Sequence, residues 1–239
     1  MSEQFPGQEL VIFEDYHLLA FNKPAPLLTQ ARPEISSLEA IAKQYIKLKY
    51  DKPAGVYLGI PHRLDRPVSG VVLFARNTKA AQRVHAQFQQ HTVQKTYWAL
   101  VHGCPTVQSG TWTDYLLKIE DEARAEISTE ETPKAKLAIT HWKVIRQFDD
   151  NHTMLQLQPK TGRMHQLRVQ AASRGLPIVG DFQYGSTSEF GPPAASDKDR
   201  LVALHAQKLE LSHPFRQEPL VIVAPLPDYW PNVGKIDEN

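Results

Sequence analysis

The sequence predicts an α+β fold with a mixed, largely antiparallel central sheet, flanking helices and a basic cleft. Two patterns indicate this class: short segments rich in β-favouring residues are joined by turns, and only isolated stretches have helical spacing. The sequence also lacks repeats, heptads and low-complexity blocks, which argues against solenoids and coiled coils. We expect one domain over residues 1–239, since a chain of this length can bury most of its surface in one body.

The first half of the chain combines strand-like and helical patterns, each bounded by residues that cap helices or form turns. The expected elements are a hairpin over residues 9–23 turning at Glu14-Asp15, a helix capped by Ser36 or Ser37 and ending before Lys52-Pro53, a loop over 51–67, a buried strand over 68–76, a helix capped by Thr78, and a strand over 95–102.

The second half is predicted to be mostly strands. Residues 137–148 alternate well enough for a half-buried strand, which pairs with residues 152–158 across a turn at 149–151 and indicates antiparallel neighbours. The remaining expected elements are a helix from Arg163 to Arg174 ended by Gly175, a surface loop over 184–200, and strands over 201–211 and 220–224.

Composition excludes several classes of protein. No apolar run approaches the roughly 20 residues that span a bilayer. Residues 1–10 lack the features of signal and transit peptides, so we expect a cytoplasmic protein without membrane contact. The single cysteine, Cys104, excludes an intramolecular disulfide and a cysteine-rich zinc site, and its simplest role is packing.

The net charge of +1 hides a segregation of charges along the chain. Residues 52–112 carry seven cations against one carboxylate, Asp65, and residues 151–180 carry four cations and no acid. The compensating acids crowd residues 114–131. If the two basic stretches meet in the fold, they form a groove suited to phosphates; scattered solvated cations are the alternative.

Asp65 occupies a loop directly before a buried strand, where rigid scaffolds often hold catalytic groups. The neighbouring cations would keep it ionised, as a carboxylate nucleophile or base requires. Position alone, however, favours a structural carboxylate paired with Arg63 or Arg66.

Two further side chains constrain this setting. Arg168 borders the apolar stripe of its predicted helix, where a guanidinium needs a carboxylate partner such as Asp65 unless it reaches solvent. Tyr97, in a strand, fits a core or ladder position, but its hydroxyl could also line a cleft.

Three segments in this order, PHRLDRPVSGVVLFARN, KTYWALVHG and TGRMHQLRVQAASRGLPIVGDFQYG, resemble the signature segments of the RluA family of pseudouridine synthases. NKPAPL and ALHAQKLELSHP resemble the flanking motifs of that family, so the resemblance runs from about Val11 to Trp230. HRLD alone is a weak signal, whereas the three segments together at compatible spacings are highly specific.

The resemblance implies a role for each matching residue. Asp65 corresponds to the catalytic aspartate, Tyr97 to the tyrosine beside the target base, and Arg168 to the arginine that pairs with Asp65. Arg63 resembles the arginine that expels the target nucleotide from its stack, consistent with base extrusion into a pocket. Other residues in the same motifs are expected to contact RNA: His62, Arg66, Arg163 and His165.

The chemistry implied by the resemblance needs no metal or organic cofactor. Asp65 assists cleavage of the uridine N-glycosidic bond, by attacking the sugar or by promoting elimination, and the freed uracil rotates and rejoins through carbon. The implied partner is structured RNA, either tRNA or rRNA, and the implied enzyme is a monomer.

Three departures from the family pattern leave the subfamily open. Pro67-Val68 stands where a threonine usually precedes Ser-Gly, Gln170 replaces a common histidine, and Pro26 replaces a frequent glycine. None removes a proposed catalytic group. An N-terminal accessory RNA-binding module is not expected, because the first core strand begins near Leu10.

Two rival functions were weighed. A metal-dependent hydrolase would draw on His62, Asp65, His85 and His165, but the ten histidines show no HExxH or other recognisable ligand spacing. An RNA-binding or RNA-folding protein with little activity is the stronger rival, although binding alone does not require the Asp65, Tyr97 and Arg168 set.

Overall fold

The computed structural model describes residues 5–149 and 151–232. These residues form two compact units, which we describe separately. The first unit comprises residues 5–93 and 206–225, and the second comprises residues 94–205, apart from 150, and 226–232. One catalytic domain over residues 1–239 stays a prediction.

Ten strands, three α-helices and three short 3-10 helices make up the regular structure of the described residues. The helices are α1 (Leu38–Lys49), α2 (Thr78–Gln89) and α3 (Gln166–Ala172). The strands are β1 (Val11–Glu14), β2 (Leu18–Lys23), β3 (Ser69–Ala75), β4 (Gln94–His102), β5 (Ser109–Lys118), β6 (Ala125–Ser128), β7 (Lys136–Gln147), β8 (His152–Pro159), β9 (Leu204–Ser212) and β10 (Pro219–Val223).

The first unit is built on the predicted hairpin. β2 pairs antiparallel with β1 and β3, and β9 pairs antiparallel with β10. Every residue of β3 is buried, as expected for a strand covered on both faces. Gly70 adopts φ +114°, and a Cβ there would come within 2.3 Å of the Ala206 carbonyl oxygen, so this close approach of β3 to β9 requires glycine.

The two helices of the first unit begin at side-chain caps. Ser37 is confirmed as the cap of α1, because its hydroxyl accepts a hydrogen bond from the Ala40 N–H. The prediction of Thr78 as the cap of α2 was wrong. Asn77 takes that position with extended backbone, and its Oδ1 accepts from the Ala80 N–H at 2.9 Å. Thr78 is therefore already the first helical residue.

The second unit contains a run of antiparallel strands in the order β4, β8, β7, β5 and β6. The predicted pairing of residues 137–148 with 152–158 is confirmed by β7 and β8. β5 and β6 were not predicted, although β5 is rich in β-favouring residues. β6 has only four residues, and its pairing with β5 arises from tertiary packing.

α3 is shorter than the predicted helix from Arg163 to Arg174. His165 takes a left-handed conformation with φ +51°, which prevents a right-handed helix from starting before Gln166. The spacing of Met164, Leu167 and Ala171 predicts an apolar stripe on one side of this helix. Every residue from Gln166 to Ala171 is buried, so α3 has no single apolar stripe, and Met164 is exposed.

The strand pairs described above are antiparallel, which confirms a largely antiparallel α+β fold with few helices. The predicted basic cleft stays a prediction. Among the described residues, no helix is both long and apolar enough to cross a membrane.

Candidate active site

The loop that carries Asp65 is tied to the preceding segment by paired hydrogen bonds. The Thr29 hydroxyl donates to the Leu64 carbonyl at 2.9 Å and accepts from the Leu64 N–H at 3.1 Å. The Leu27 N–H donates to the Arg66 carbonyl at 3.2 Å. The backbone on both sides of Asp65 is therefore fixed, while the Asp65 side chain remains half-buried.

Lys23, the last residue of β2, supports the same loop through hydrogen bonds to its main chain. Its fully buried Nζ donates to the carbonyls of Pro24 at 3.1 Å, Leu27 at 2.7 Å and Arg66 at 3.3 Å. Burial lowers the pKa of the Lys23 ammonium to about 7, against the opposing effect of the Asp65 carboxylate, which raises it. The Asp65 carboxylate is thus close enough to affect the pKa of Lys23, and Lys23 titrates near neutral pH.

The other predicted residues of this loop differ in exposure. The His62 ring is stacked on Phe88 with centroids 5.0 Å apart, and its Nε2 accepts from the Leu73 N–H at 3.0 Å. That nitrogen therefore carries no proton, and His62 packs the loop onto its scaffold. Arg63 is exposed and Arg66 is half-buried. An RNA-contacting role for His62, Arg63 and Arg66 stays a prediction.

In the second unit, Tyr97 lies on β4 opposite Leu157 of β8. Its side chain is half-buried. Lys95, two residues earlier on the same strand, points to the same face because side chains alternate along a strand. A tyrosine and a lysine therefore stand side by side on this face of β4.

Arg168 is buried on α3 and held by a carboxylate. Its Nε donates to Asp181 Oδ2 at 2.6 Å and its NH2 donates to Asp181 Oδ1 at 2.8 Å, which gives the two-pronged geometry of a strong arginine–carboxylate pair. The same NH2 donates to Gln183 Oε1 at 3.0 Å, and the guanidinium lies 5.0 Å from the centre of the Tyr184 ring. The alternative in which Arg168 reaches solvent is therefore wrong.

The turn before α3 is fixed by polar side chains. His165 Nδ1 lies 2.9 Å from the Tyr184 hydroxyl. Buried Gln166 accepts from the Arg163 N–H and from the Thr161 hydroxyl, so its amide closes the start of the helix. The side chain of Arg163 donates from Nε to the Leu137 carbonyl at 3.0 Å. Contacts of Arg163 and His165 with RNA stay predictions.

Gln170, the departure within α3, is fully buried and satisfied. It accepts from the Thr140 hydroxyl at 2.7 Å and donates to Asp114 Oδ2 at 2.6 Å and to the Ala138 carbonyl at 3.2 Å. Its amide therefore joins α3 to β5 and β7, and it serves as a structural residue.

The predicted site residues thus fall into two sets. His62, Arg63, Asp65 and Arg66 share one anchored loop of the first unit, whereas Tyr97, Arg163, His165 and Arg168 belong to β4, α3 and its preceding turn in the second unit. The implied pair of Asp65 with Arg168 has one member in each unit and stays a prediction.

A family model described as RNA pseudouridylate synthase matches residues 17–173, which include the Asp65 loop, Tyr97 and Arg168. This chain belongs to the RNA pseudouridylate synthases of the RluA family. The synthase signature therefore covers both sets of site residues completely.

Named relatives extend the match over almost the whole synthase chain. It is 34% identical to "Ribosomal large subunit pseudouridine synthase C" of Rickettsia prowazekii, over 93% of this chain and 69% of the relative. It is 32% identical to "tRNA pseudouridine synthase C" of Vibrio parahaemolyticus, over 94% and 93% respectively. The solved structure of "Human RNA Pseudouridylate Synthase Domain Containing 4" has a TM-score of 0.76 at 24% identity, covering 93% of this chain and 90% of that one, and shares its fold.

Two residues of the synthase site were not predicted, Lys23 and Asp181. Both lie in segments that resemble family motifs, NKPAPL and PIVGDFQYG, so the sequence contained a signal. The partners of these two residues could not be assigned from the sequence. Lys23 binds main-chain carbonyls, which every residue carries, and Asp181 lies 13 residues from Arg168.

The positions of possible metal ligands in the synthase bear on the hypothesis of a metal-dependent hydrolase. Over residues 5–149 and 151–232, the structure brings no three histidine, cysteine, aspartate or glutamate side chains into an arrangement that could hold a metal ion. His62 instead uses a ring nitrogen as a hydrogen-bond acceptor for the backbone.

Proposed function

We propose that this synthase isomerises uridine to pseudouridine in structured RNA, with tRNA or rRNA as the substrate. The RluA family match supports the reaction, and the names of the relatives support both RNA classes. The enzyme is an isomerase, since the C1′–N1 bond is exchanged for a C1′–C5 bond, and the hydrogen lost from C5 is balanced by one gained at N1.

The observation that carries this proposal is the setting of Asp65. Its loop is fixed by Thr29 and by Lys23, and a half-buried carboxylate on a rigid loop can meet the sugar of an extruded nucleotide in one defined geometry. We assign Asp65 to glycosidic bond cleavage. Attack on the sugar and promotion of elimination both need the carboxylate in its ionised form.

Tyr97 and Arg168 complete the proposed machinery. Tyr97 would pack on the uracil during its rotation, for which a half-buried ring on a strand gives a firm surface. Arg168 would keep Asp65 ionised. The Asp181 carboxylate orients the guanidinium of Arg168 through Nε and NH2 and offsets the cost of burying its charge.

The remaining assignments concern the RNA. The exposed side chain of Arg63 suits a group that displaces the target nucleotide from its stack. We further assign contacts with the RNA backbone to Arg66 and Arg163. His62 and His165 are assigned to support of the adjacent protein loops. The proposed enzyme is a cytoplasmic monomer that uses no cofactor.

The test compares wild-type enzyme with Asp65→Ala on unfractionated tRNA and on ribosomal RNA, both from cells that lack this gene. We expect wild type to form pseudouridine, and Asp65→Ala to form none while its affinity for the same RNA stays within about threefold. Asp197→Ala is the matched control, since the Asp197 carboxylate is exposed and pairs with Arg200 on a surface turn. Wild-type protein that binds these RNAs but modifies neither would favour an RNA-binding or RNA-folding role.

A further inference from the structure

Three cations gather at the turn between β8 and α3. This Lys95 cluster consists of Lys95 on β4 together with Lys160 and Arg163 on the turn. Lys95 Nζ donates to the Thr161 carbonyl at 3.2 Å, which places its ammonium against the turn. Arg163 is anchored by its own hydrogen bond to the Leu137 carbonyl, and Lys160 is exposed.

The Lys95 cluster is drawn from two stretches of sequence that are poor in acids. Residues 151–180 contain no carboxylate, and within the described parts of the chain none of the three side chains forms an ion pair. Burial first, and then the like charges of Arg163 and Lys160, lower the pKa of Lys95 to about 8. The fold therefore holds three mutually repelling cations together, an arrangement that a bound anion would relieve.

The cluster also borders the residues already assigned to the reaction in the second unit. Lys95 shares a face of β4 with Tyr97, and Arg163 belongs to the turn that leads into α3 and Arg168. An anion held by the cluster would thus lie a short distance along β4 from the ring proposed to stack on the uracil.

We propose that the Lys95 cluster is a binding site for a backbone phosphate of the substrate RNA, close to the target uridine. This inference rests on the proposed function and adds Lys95 and Lys160 to its RNA contacts. A half-buried lysine among other cations is suited to phosphate because binding restores its charge and replaces repulsion with attraction. One fixed phosphate beside the base pocket would set the register of the strand that carries the target.

The first experiment measures the salt dependence of RNA binding for Lys95→Met, Lys160→Met and the Lys95→Arg variant. The probe is unfractionated tRNA, and the observable is the slope of log affinity against log salt concentration. Each methionine variant should lower the magnitude of this slope by about 0.7–0.9, with a loss of about three- to tenfold in affinity, because one counterion-releasing contact is lost. Lys95→Arg should keep the wild-type slope.

Lys134→Met is the matched control, because the Lys134 ammonium is exposed and already paired with Glu120. Its slope should equal that of wild type. Lys95→Met should also unfold at the same urea concentration as wild type or a higher one, since it removes a desolvated cation from the fold. Unchanged slopes in both cluster variants, or a loss of binding explained by unfolding, would overturn the proposal.

Measuring tRNA affinity over a series of pH values distinguishes the contribution of Lys95 from that of other cations. Wild-type affinity for tRNA should fall as the pH rises through about 8, because the uncomplexed Lys95 loses its proton there. The fall should be absent in Lys95→Arg, whose guanidinium stays charged. Affinity that falls equally in both proteins would contradict a phosphate contact by Lys95.

The source of the phosphate and the reaction are tested by separate arms. Inorganic phosphate at equal ionic strength should compete no better than chloride, and selective competition would overturn a site specific for the RNA backbone. Pseudouridine formation by wild type tests the proposed function on its own. An active enzyme whose Lys95 variants bind normally would refute only the phosphate site, whereas an inactive wild type with altered slopes would refute only the reaction.

Discussion

The Asp65 loop and the Arg168 helix hold a candidate catalytic side chain in opposite ways. In the first unit, buried Lys23 binds main-chain carbonyls and is influenced by the Asp65 carboxylate. In the second unit, buried Asp181 binds the guanidinium of Arg168 directly through two hydrogen bonds. Lys23 is a cation that donates to neutral carbonyl oxygens, whereas Asp181 is the anion of an ion pair.

This difference has a consequence for how each support responds to pH. Among the described residues, Lys23 donates its hydrogen bonds to neutral carbonyl oxygens, and burial lowers its pKa to about 7 although the Asp65 carboxylate raises it. Arginine stays protonated throughout the pH range in which enzymes work, so the ion pair between Arg168 and Asp181 keeps its cation. The charge that supports the Asp65 loop therefore changes near neutral pH.

The largest expected effect comes from breaking the ion pair. Asp181→Ala leaves the charge of Arg168 buried without a carboxylate, which should cost about 3–5 kcal/mol of unfolding free energy. Urea denaturation measures this loss, and pseudouridine formation should disappear with it. Asp197→Ala, which removes an exposed partner of Arg200, should change stability by less than about 1 kcal/mol. Equal effects from the two variants would contradict the assigned importance of Asp181.

A smaller effect should distinguish the two regions by function. Thr29→Val removes both hydrogen bonds to Leu64 beside Asp65, and Thr161→Val removes those with Ile139 and Gln166 before α3. Each should cost about 1–3 kcal/mol, since a buried partner loses its hydrogen bond.

Steady-state kinetics with the two threonine variants should separate their roles. Thr29→Val should lower kcat by about tenfold or more, because it loosens the loop of the catalytic carboxylate. Thr161→Val should mainly raise KM, because Thr161 belongs to the turn of the Lys95 cluster. The reverse assignment of kcat and KM effects would refute this division between the regions.

The last effect concerns pH and Lys23. The pKa of Lys23 is about 7 in the folded protein, below its ordinary value of 10.5, so the folded state binds fewer protons between these limits. The unfolding free energy of wild type should therefore rise relative to Lys23→Met as pH increases from about 7 to 10, and the difference should be constant below that window. Urea denaturation at pH 6, 8 and 10 measures it, and a falling difference would contradict the lowered pKa.

The sequence allowed much of this architecture to be predicted, for identifiable reasons. The hairpin of β7 and β8 and the buried strand β3 have strong local patterns, and their elements were confirmed. α3 was predicted too long because His165 takes a left-handed backbone conformation, which the helical spacing of apolar residues does not encode.

The site was predictable in the residues that match family motifs and not in their supports. Asp65, Tyr97 and Arg168 were assigned through the resemblance, whereas composition alone favoured a structural role for Asp65. The ion pair of Arg168 with Asp181 and the carbonyl contacts of Lys23 arise from tertiary packing. Sequence spacing gives no direct measure of such contacts.

The most direct test of the central claim is a map of pseudouridine in total RNA from cells with and without this gene. The account predicts that one or more sites in tRNA or rRNA lose pseudouridine without the gene, and that wild type restores them while Asp65→Asn does not. Identical maps in the two strains, or sites restored by Asp65→Asn, would contradict it.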